Sequence, residues 1–285
     1  MNWLQIEKEW QKSLAPLYPE LEIKSLFFIM LKSRFKIDKA FYLSHQQDLL
    51  NEQQLQETSA ILSELNTGKP IQYVLGETTF YGLNFKVNPS VLIPRPETEE
   101  LVKLILDELK ELKYHHPYIL DIGTGSGCIP IALKSELPHA SVFGLDISNE
   151  ALATARSNAE LNGLEVDFIH QDILQADASF TMESFDIIVS NPPYVTIAEQ
   201  SQMHRNVLDF EPHKALFVTD QDPLIFYDRI ADFALKHLRT SGLVFFEINE
   251  QLGVETCQLL QAKGFRSIEL KKDLFGRDRM IKAGL

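Results

Sequence analysis

The chain has 285 residues, about twice an ordinary domain, so two domains or one large domain with an appendage are expected. Its 27 basic and 40 acidic side chains leave a net charge of 27 − 40 = −13, a field that repels a phosphate backbone and disfavours a general nucleic-acid-coating role. Hydrophobic residues at 45% and charged residues at 24% exclude a wholly disordered or fibrous chain, and the two cysteines, Cys128 and Cys257, form no CxxC pair, so neither a disulfide scaffold nor a cysteine zinc site is supported.

No basic segment followed by an apolar one opens the chain, and a soluble cytoplasmic protein is expected. In the first 66 residues Trp3, Ile6, Trp10, Leu14 and Leu17 recur three and four apart, and Ile23, Leu26, Phe27, Met30 and Leu31 repeat the pattern. Pro16 and Pro19 separate these two helices, and Leu55, Leu62 and Leu65 share one side of another. With no glycine before Gly68, residues 1–69 read as a small helical bundle whose aromatic and Met side chains are core. Gly68, Pro70, Gly76 and Gly82 then punctuate short segments rich in Val, Tyr, Phe and Thr, such as residues 72–75 and 85–87, and residues 70–93 read as a β-hairpin linker.

Pro94 and Pro96 precede an acidic run, residues 97–100, suited to a helix N-terminus, and Leu101, Ile105, Leu109 and Leu112 continue as an amphipathic helix. A second domain is assigned to residues 94–285. Buried strand and helix alternate there: strands over 118–122, 141–146, 165–171, 185–190 and 242–248, helices over 129–137 and 149–161, and a closing hairpin from 265–270 and 279–283. The spacing suits crossovers in a largely parallel, doubly wound α/β sheet.

Between the first of these strands and its helix lies Asp121-Ile-Gly123-Thr124-Gly125-Ser126-Gly127. Glycines there permit positive φ and close approach of a ligand to the backbone, while the helix N-terminus offers free N–H groups. A glycine turn alone also fits an empty strand-to-helix connection. Asp146, about 20 residues on at the next strand end, adds a carboxylate able to accept from both hydroxyls of a ribose, so the pair points to an adenosine-containing ligand. Cys128 stands where a GxGxxG dinucleotide fingerprint needs its last glycine, which disfavours NAD. The GxGxG spacing resembles the first motif of S-adenosylmethionine-dependent methyltransferases. Asp121 is then placed near the ligand's ammonium group, and Asp172, after the third strand, is either an adenine contact or an ordinary turn aspartate.

Ser190-Asn191-Pro192-Pro193-Tyr194 follows the fourth strand. Two prolines fix φ twice and remove two donors, leaving a stiff turn that shows carbonyl oxygens. Methyl transfer to a planar, weakly nucleophilic nitrogen needs that kind of turn. Acceptors aimed at the NH₂ hydrogens, the Asn191 side-chain oxygen and the Pro192 carbonyl, would position the nitrogen and stabilise its developing charge. Tyr194 would pack on the flat face of the acceptor group.

Together these motifs resemble those of amino-methyltransferases acting on adenine, cytosine or glutamine nitrogen. Residues 71–77, 80–82, 91–99 around Arg95, 210–212 with 215–216, and 272–279 are similar to the HemK family, the peptide-chain release factor glutamine methyltransferases. That resemblance implies a Rossmann-like, seven-stranded S-adenosylmethionine-dependent methyltransferase domain, a helical substrate-recognition domain and a hairpin between them. It also implies methylation of N5 of the glutamine in the Gly-Gly-Gln tip of release factors, by a monomer that meets its protein partner transiently. Carried onto this chain, Gly123, Thr124, Gly125, Ser126, Gly127, Asp146, Asp172, Ile173 and Asn191 would hold the cofactor. Asn191, Pro192, Pro193 and Tyr194 would form the glutamine pocket, with Asn191, Pro192 and Tyr194 catalytic. Ile173 stands where relatives often carry an aromatic residue, and Asn249 where a glycine is expected. Arg95 reads as a structural anchor, with contact to the release factor as the other reading, and His115-His116 as a solvated loop; no metal site is expected. Residues 196–223 read as a substrate-facing loop. Two rival functions share parts of this pattern. A DNA adenine-N6 methyltransferase is opposed by the acidic charge and the absence of a spare basic recognition segment, and a non-catalytic binding protein by the intact motifs.

Overall fold

The computed structural model describes residues 1–175 and 184–285, which divide into two compact units. The first comprises residues 1–77 and 204–210, the second residues 78–203 and 211–285.

The helical unit contains α1 (Trp3–Leu14), α2 (Glu20–Phe35), α3 (Lys39–His45), α4 (Glu52–Leu65) and α5 (Ile71–Leu75). Asn2 and Asn51 start α1 and α4 with capping boxes completed by Gln5 and Gln54, which satisfy donors the first turn would otherwise leave free. The apolar stripes of α1 and α2 meet in one core, where Trp10 and Phe27 pack edge to face at 5.5 Å. The short α3 lacks a long stripe and is announced only by its cap, Asp38, whose carboxylate accepts from the Phe41 amide at 2.7 Å. Residues 72–75, expected to be extended, are helical instead. Pro70 precedes the turn, Gly76 at φ +72° closes it, and Ile71 and Leu75, one turn apart, reach the same helical core. Burial there outweighs the strand preference of Tyr73 and Val74.

A hairpin follows, β1 (Glu77–Phe80) and β2 (Leu83–Lys86), turned by Tyr81 and Gly82 at positive φ. Phe80 and Phe85 enter the core of the sheet unit, and the Lys86 amide and carbonyl are both bonded by the Asn158 side chain. Next come α6 (Pro96–Glu111), β3 (Tyr118–Ile122), α7 (Cys128–Glu136), β4 (Ser141–Asp146), α8 (Asn149–Leu161), β5 (Asp167–His170) and β6 (Phe185–Ser190). Residues 196–223 are not one loop: they hold paired two-residue strands, β7 (Val195–Thr196) and β8 (Phe217–Val218), two 3₁₀ turns, and α9 (Arg205–Phe210), which groups with the helical unit. The chain closes with α10 (Ile225–His237), β9 (Leu238–Glu247), α11 (Gly253–Lys263), β10 (Arg266–Lys272) and β11 (Asp278–Gly284).

The seven-stranded sheet runs β10-β11-β9-β6-β3-β4-β5, with β9 to β5 parallel and β11 and β10 added antiparallel. Its central strands are apolar on both faces, while the edge strands β5 and β10 are polar and partly exposed. Ile119, Ile187, Val189 and Phe245 pack beneath α6 and α7, whereas Leu120, Ile188, Val244 and Phe246 pack beneath α10. The chain moves from β3 outward through β4 to β5, then returns to β6 on the other side of β3. That reversal opens a crevice beyond the carboxyl ends of β3 and β6, where open parallel sheets bind ligands.

Candidate active site

The glycine turn leaves β3 and is latched to its neighbour, because the Leu145 carbonyl accepts from the amides of Gly123 at 2.8 Å and Thr124 at 3.0 Å. Gly123 and Gly125 lie at φ +76° and +53°, and a Cβ on either would meet nothing within 4 Å. The backbone is therefore bare toward open space, as a closely approaching ligand requires. Gly127 serves differently: at φ +78° it caps α7, and a Cβ there would press on Ile131 and Ala155 at 3.0 and 3.1 Å.

Asp146, at the end of β4, accepts from the Gly125 amide at 2.8 Å and the Ser148 amide at 2.9 Å. Burial raises its pKa and these amides oppose the rise. Each carboxylate oxygen keeps a second lone pair for a ligand hydroxyl. Asp121, only 1% exposed, has neither oxygen in a well-formed hydrogen bond; burial pushes it up to about 7, opposed by the adjacent Thr124 hydroxyl and helped by the Asp146 charge. A buried carboxylate without a partner suits a cationic group of a ligand. Beyond β5, Asp172 accepts from the Leu174 amide at 2.9 Å and from the Gln175 side chain at 3.0 Å, shaping the turn that carries Ile173.

Asn191 follows β6. Its Nδ2 donates to Thr98 Oγ1 at 3.2 Å, the Thr98 hydroxyl donates to Glu247 Oε2 at 2.7 Å, and the Tyr194 hydroxyl donates to Glu247 Oε1 at 3.0 Å. Burial, reinforced by the Glu247 charge, holds the Tyr194 phenol far above its ordinary value. The Tyr194 carbonyl in turn accepts from Asn249 Nδ2 at 3.1 Å, so the asparagine at the position where glycine is expected braces the turn.

Gly123, Thr124, Gly125, Ser126, Asp146, Asp172, Ile173, Asn191, Pro192 and Pro193 line one cavity of about 650 Å³, within the size range of small-molecule sites. Gly127 lies outside its wall, as does Tyr194, which packs into the core beneath α10. Thr98, Leu174, Phe217 and Phe226 also line the cavity and were not singled out by motif reading. Thr98 sits in the acidic helix start, a signal that explains the helix and hides the hydroxyl. Arg95 lines the cavity and pairs at 2.6 Å with Glu211, a carboxylate 1% exposed that also accepts from the Ile93 amide. Among the described residues no cluster of three or more His, Cys, Asp or Glu side chains is arranged to hold a metal ion, and no helix is long and apolar enough to cross a membrane.

Two family models match the chain: the methyltransferase small domain over residues 97–210 and the PrmC N-terminal domain over residues 9–76. A release factor glutamine methyltransferase of Flavobacterium psychrophilum is 48% identical over 275 residues, 96% of each chain. That of Bacteroides thetaiotaomicron is 44% identical over 273 residues, again 96% of each. Among solved structures, the 16S rRNA N2 G1207 methyltransferase of T. thermophilus, in complex with AdoMet and guanosine, aligns with a TM-score of 0.52 at 22% identity, covering 73% of this chain and 49% of that one. This last likeness concerns the fold alone.

Proposed function

The chain belongs to the family of release factor glutamine methyltransferases, and we propose that it transfers a methyl group from S-adenosylmethionine to N5 of the glutamine in the Gly-Gly-Gln tip of a peptide chain release factor. The observation that carries this reading is the Asn191 turn: the amide engages Thr98 through its NH₂ and lines a cavity that also contains the glycine turn.

The residues present fit the methyl donor. Open space before Gly123 and Gly125 leaves room for it, Asp146 offers acceptors to a ribose, Asp121, buried next to the cavity-lining Ile122, a carboxyl whose ionised form an ammonium group would favour, and Ile173 an apolar surface beside Asp172 to an adenine. When bound, S-adenosylmethionine supplies an electrophilic methyl group on a sulfonium sulfur. Asn191 Oδ1 and the Pro192 carbonyl accept the two hydrogens of the substrate amide, holding its nitrogen in line and drawing its lone pair out of conjugation. Pro193 keeps the turn stiff, and Tyr194, bonded to the buried Glu247, anchors the turn from the core side instead of facing the amide. With the nitrogen held in line with the methyl group that the bound donor would supply, the two acceptors would retain the amide hydrogens until one N–H proton departs to water. No strong general base is required.

The helical unit, matched by the PrmC N-terminal model, serves in this reading as the substrate-recognition domain. The protein works as a cytoplasmic monomer where release factors act, without binding nucleic acid directly. Labelled S-adenosylmethionine, a release factor and its glutamine-to-alanine tip variant test the reading. Label recovered as N5-methylglutamine on the unaltered tip alone is expected. Label on DNA, or equal label on the variant, overturns it.

A further inference from the structure

A side-chain amide is nearly symmetric in shape, so packing alone cannot choose which end of Asn191 meets the substrate. The wrong end would set NH₂ against NH₂, two donors with no acceptor between them. The choice has to come from what the other end bonds. That partner is the Thr98 hydroxyl, 93 residues away in sequence, which by itself can donate or accept and so tolerates either orientation.

We infer that Glu247 and Thr98 form a directional relay that sets the Asn191 amide with Oδ1 toward the acceptor nitrogen, making both of them positioning residues for methyl transfer; the inference rests on the role given to Asn191 above. Glu247 ends β9 and is 1% exposed, and Thr98, in the first turn of α6, is 2% exposed. An ionised carboxylate only accepts. Its Oε2 takes the single Thr98 hydrogen, leaving Thr98 with lone pairs alone, and Asn191 must then approach NH₂ first. The other carboxylate oxygen is held by the Tyr194 hydroxyl, so the carboxylate that orients Asn191 also anchors the tyrosine of the same turn. Burial works against the charge on Glu247, while the two hydroxyl donors and the nearby Arg279 guanidinium support it. Solvent has little access to this relay, and a buried network of this kind has few alternative arrangements.

The test uses the full chain with a release factor, measuring the single-turnover methyl-transfer rate, the KM for the release factor and the Kd for S-adenosylmethionine. Thr98→Val keeps the shape and removes the hydroxyl; Glu247→Gln keeps the shape but puts a donor where only acceptors stood. Each is expected to slow transfer on the order of 10²-fold, as loss of one transition-state hydrogen bond does, with Kd and KM unchanged. Thr98→Ser should restore the rate, and the double variant should lose no more than the worse single one, because one relay is broken only once. Near-normal transfer by Thr98→Val beside an inactive Asn191→Ala overturns the relay, as does Thr98→Ser falling as far as Thr98→Val. Should Glu247→Gln not fold, the Thr98 pair decides alone. Near-normal transfer by Asn191→Ala would instead overturn the role of Asn191 itself, a separate outcome.

Discussion

Asp121 offers a direct test of how the ligand-free site is built. Its carboxylate is buried with the Thr124 hydroxyl beside it but no well-formed hydrogen bond, and its pKa rises from 3.8 to about 7. The folded chain therefore keeps a proton that the unfolded chain has already lost between those values. Stability from this group is full below about 3.8 and is lost as pH rises to about 7. Each pH unit in that window costs about 1.4 kcal/mol, so the whole window amounts to about 4 kcal/mol. Asp121→Asn has the same shape and no titration. Whatever fixed cost or gain the amide brings, it cancels in the slope. Urea unfolding of both proteins without cofactor at pH 5, 6, 7 and 8 should show the variant gaining on the parent by about 2 kcal/mol from pH 5 to 7 and levelling off by about pH 8. NMR titration of the parent should find one carboxyl changing near neutrality that the variant lacks. Parallel stability profiles, or no such carboxyl, would refute the account of Asp121 as an unpaired buried acid. The same variant should bind S-adenosylmethionine more weakly, so that stability and ligand affinity move in opposite directions.

Gly144→Ala would place a Cβ 2.8 Å from both the Phe168 ring and Thr124 Oγ1, and overpacking of about 1–3 kcal/mol should appear as a lower Tm without cofactor. Gly123→Ala meets no atom within 4 Å; its positive φ should cost about 1 kcal/mol, while cofactor Kd, measured by calorimetry, rises by about tenfold or more as the methyl group enters the cavity. Arg95→Ala strands the buried Glu211 carboxylate and should destabilise the chain by about 2–3 kcal/mol in urea, less than a fully buried pair because Arg95 is one-third exposed. Burial raises Glu247, against Thr98, Tyr194 and Arg279 and with Glu97, so the transfer rate should fall as pH drops through a value above the ordinary glutamate range; a rate flat down to that ordinary range refutes the need for its charge.

The two motifs at the centre of the site were readable because each is a local device. Glycines at 123, 125 and 127 adopt positive φ within their own turn, and Pro192-Pro193 stiffens its own segment whatever surrounds it. The strands of the parallel sheet were readable for a similar reason, since burial on both faces writes a continuous apolar run such as Phe185–Ser190. Helix α5 is not legible in the sequence because Ile71, Tyr73 and Val74 favour strand over helix, and contact with the helical core, through Ile71 and Leu75, decides its state.

The sequence by itself determined the alternation of strand and helix, the glycine turn after β3 and the proline-stiffened turn at Asn191, all set by torsional freedom and apolar spacing within short stretches. Tertiary structure alone decided what those turns are fastened to. Glu247 lies 149 residues from Thr98 and Glu211 lies 116 from Arg95, distances over which no spacing rule acts. Glu247 meets Thr98 only when the crossovers of the sheet bring the end of β9 beside the start of α6, Glu211 reaches Arg95 from the segment after α9, and a polar group buried there must find its hydrogen bond among whatever arrives.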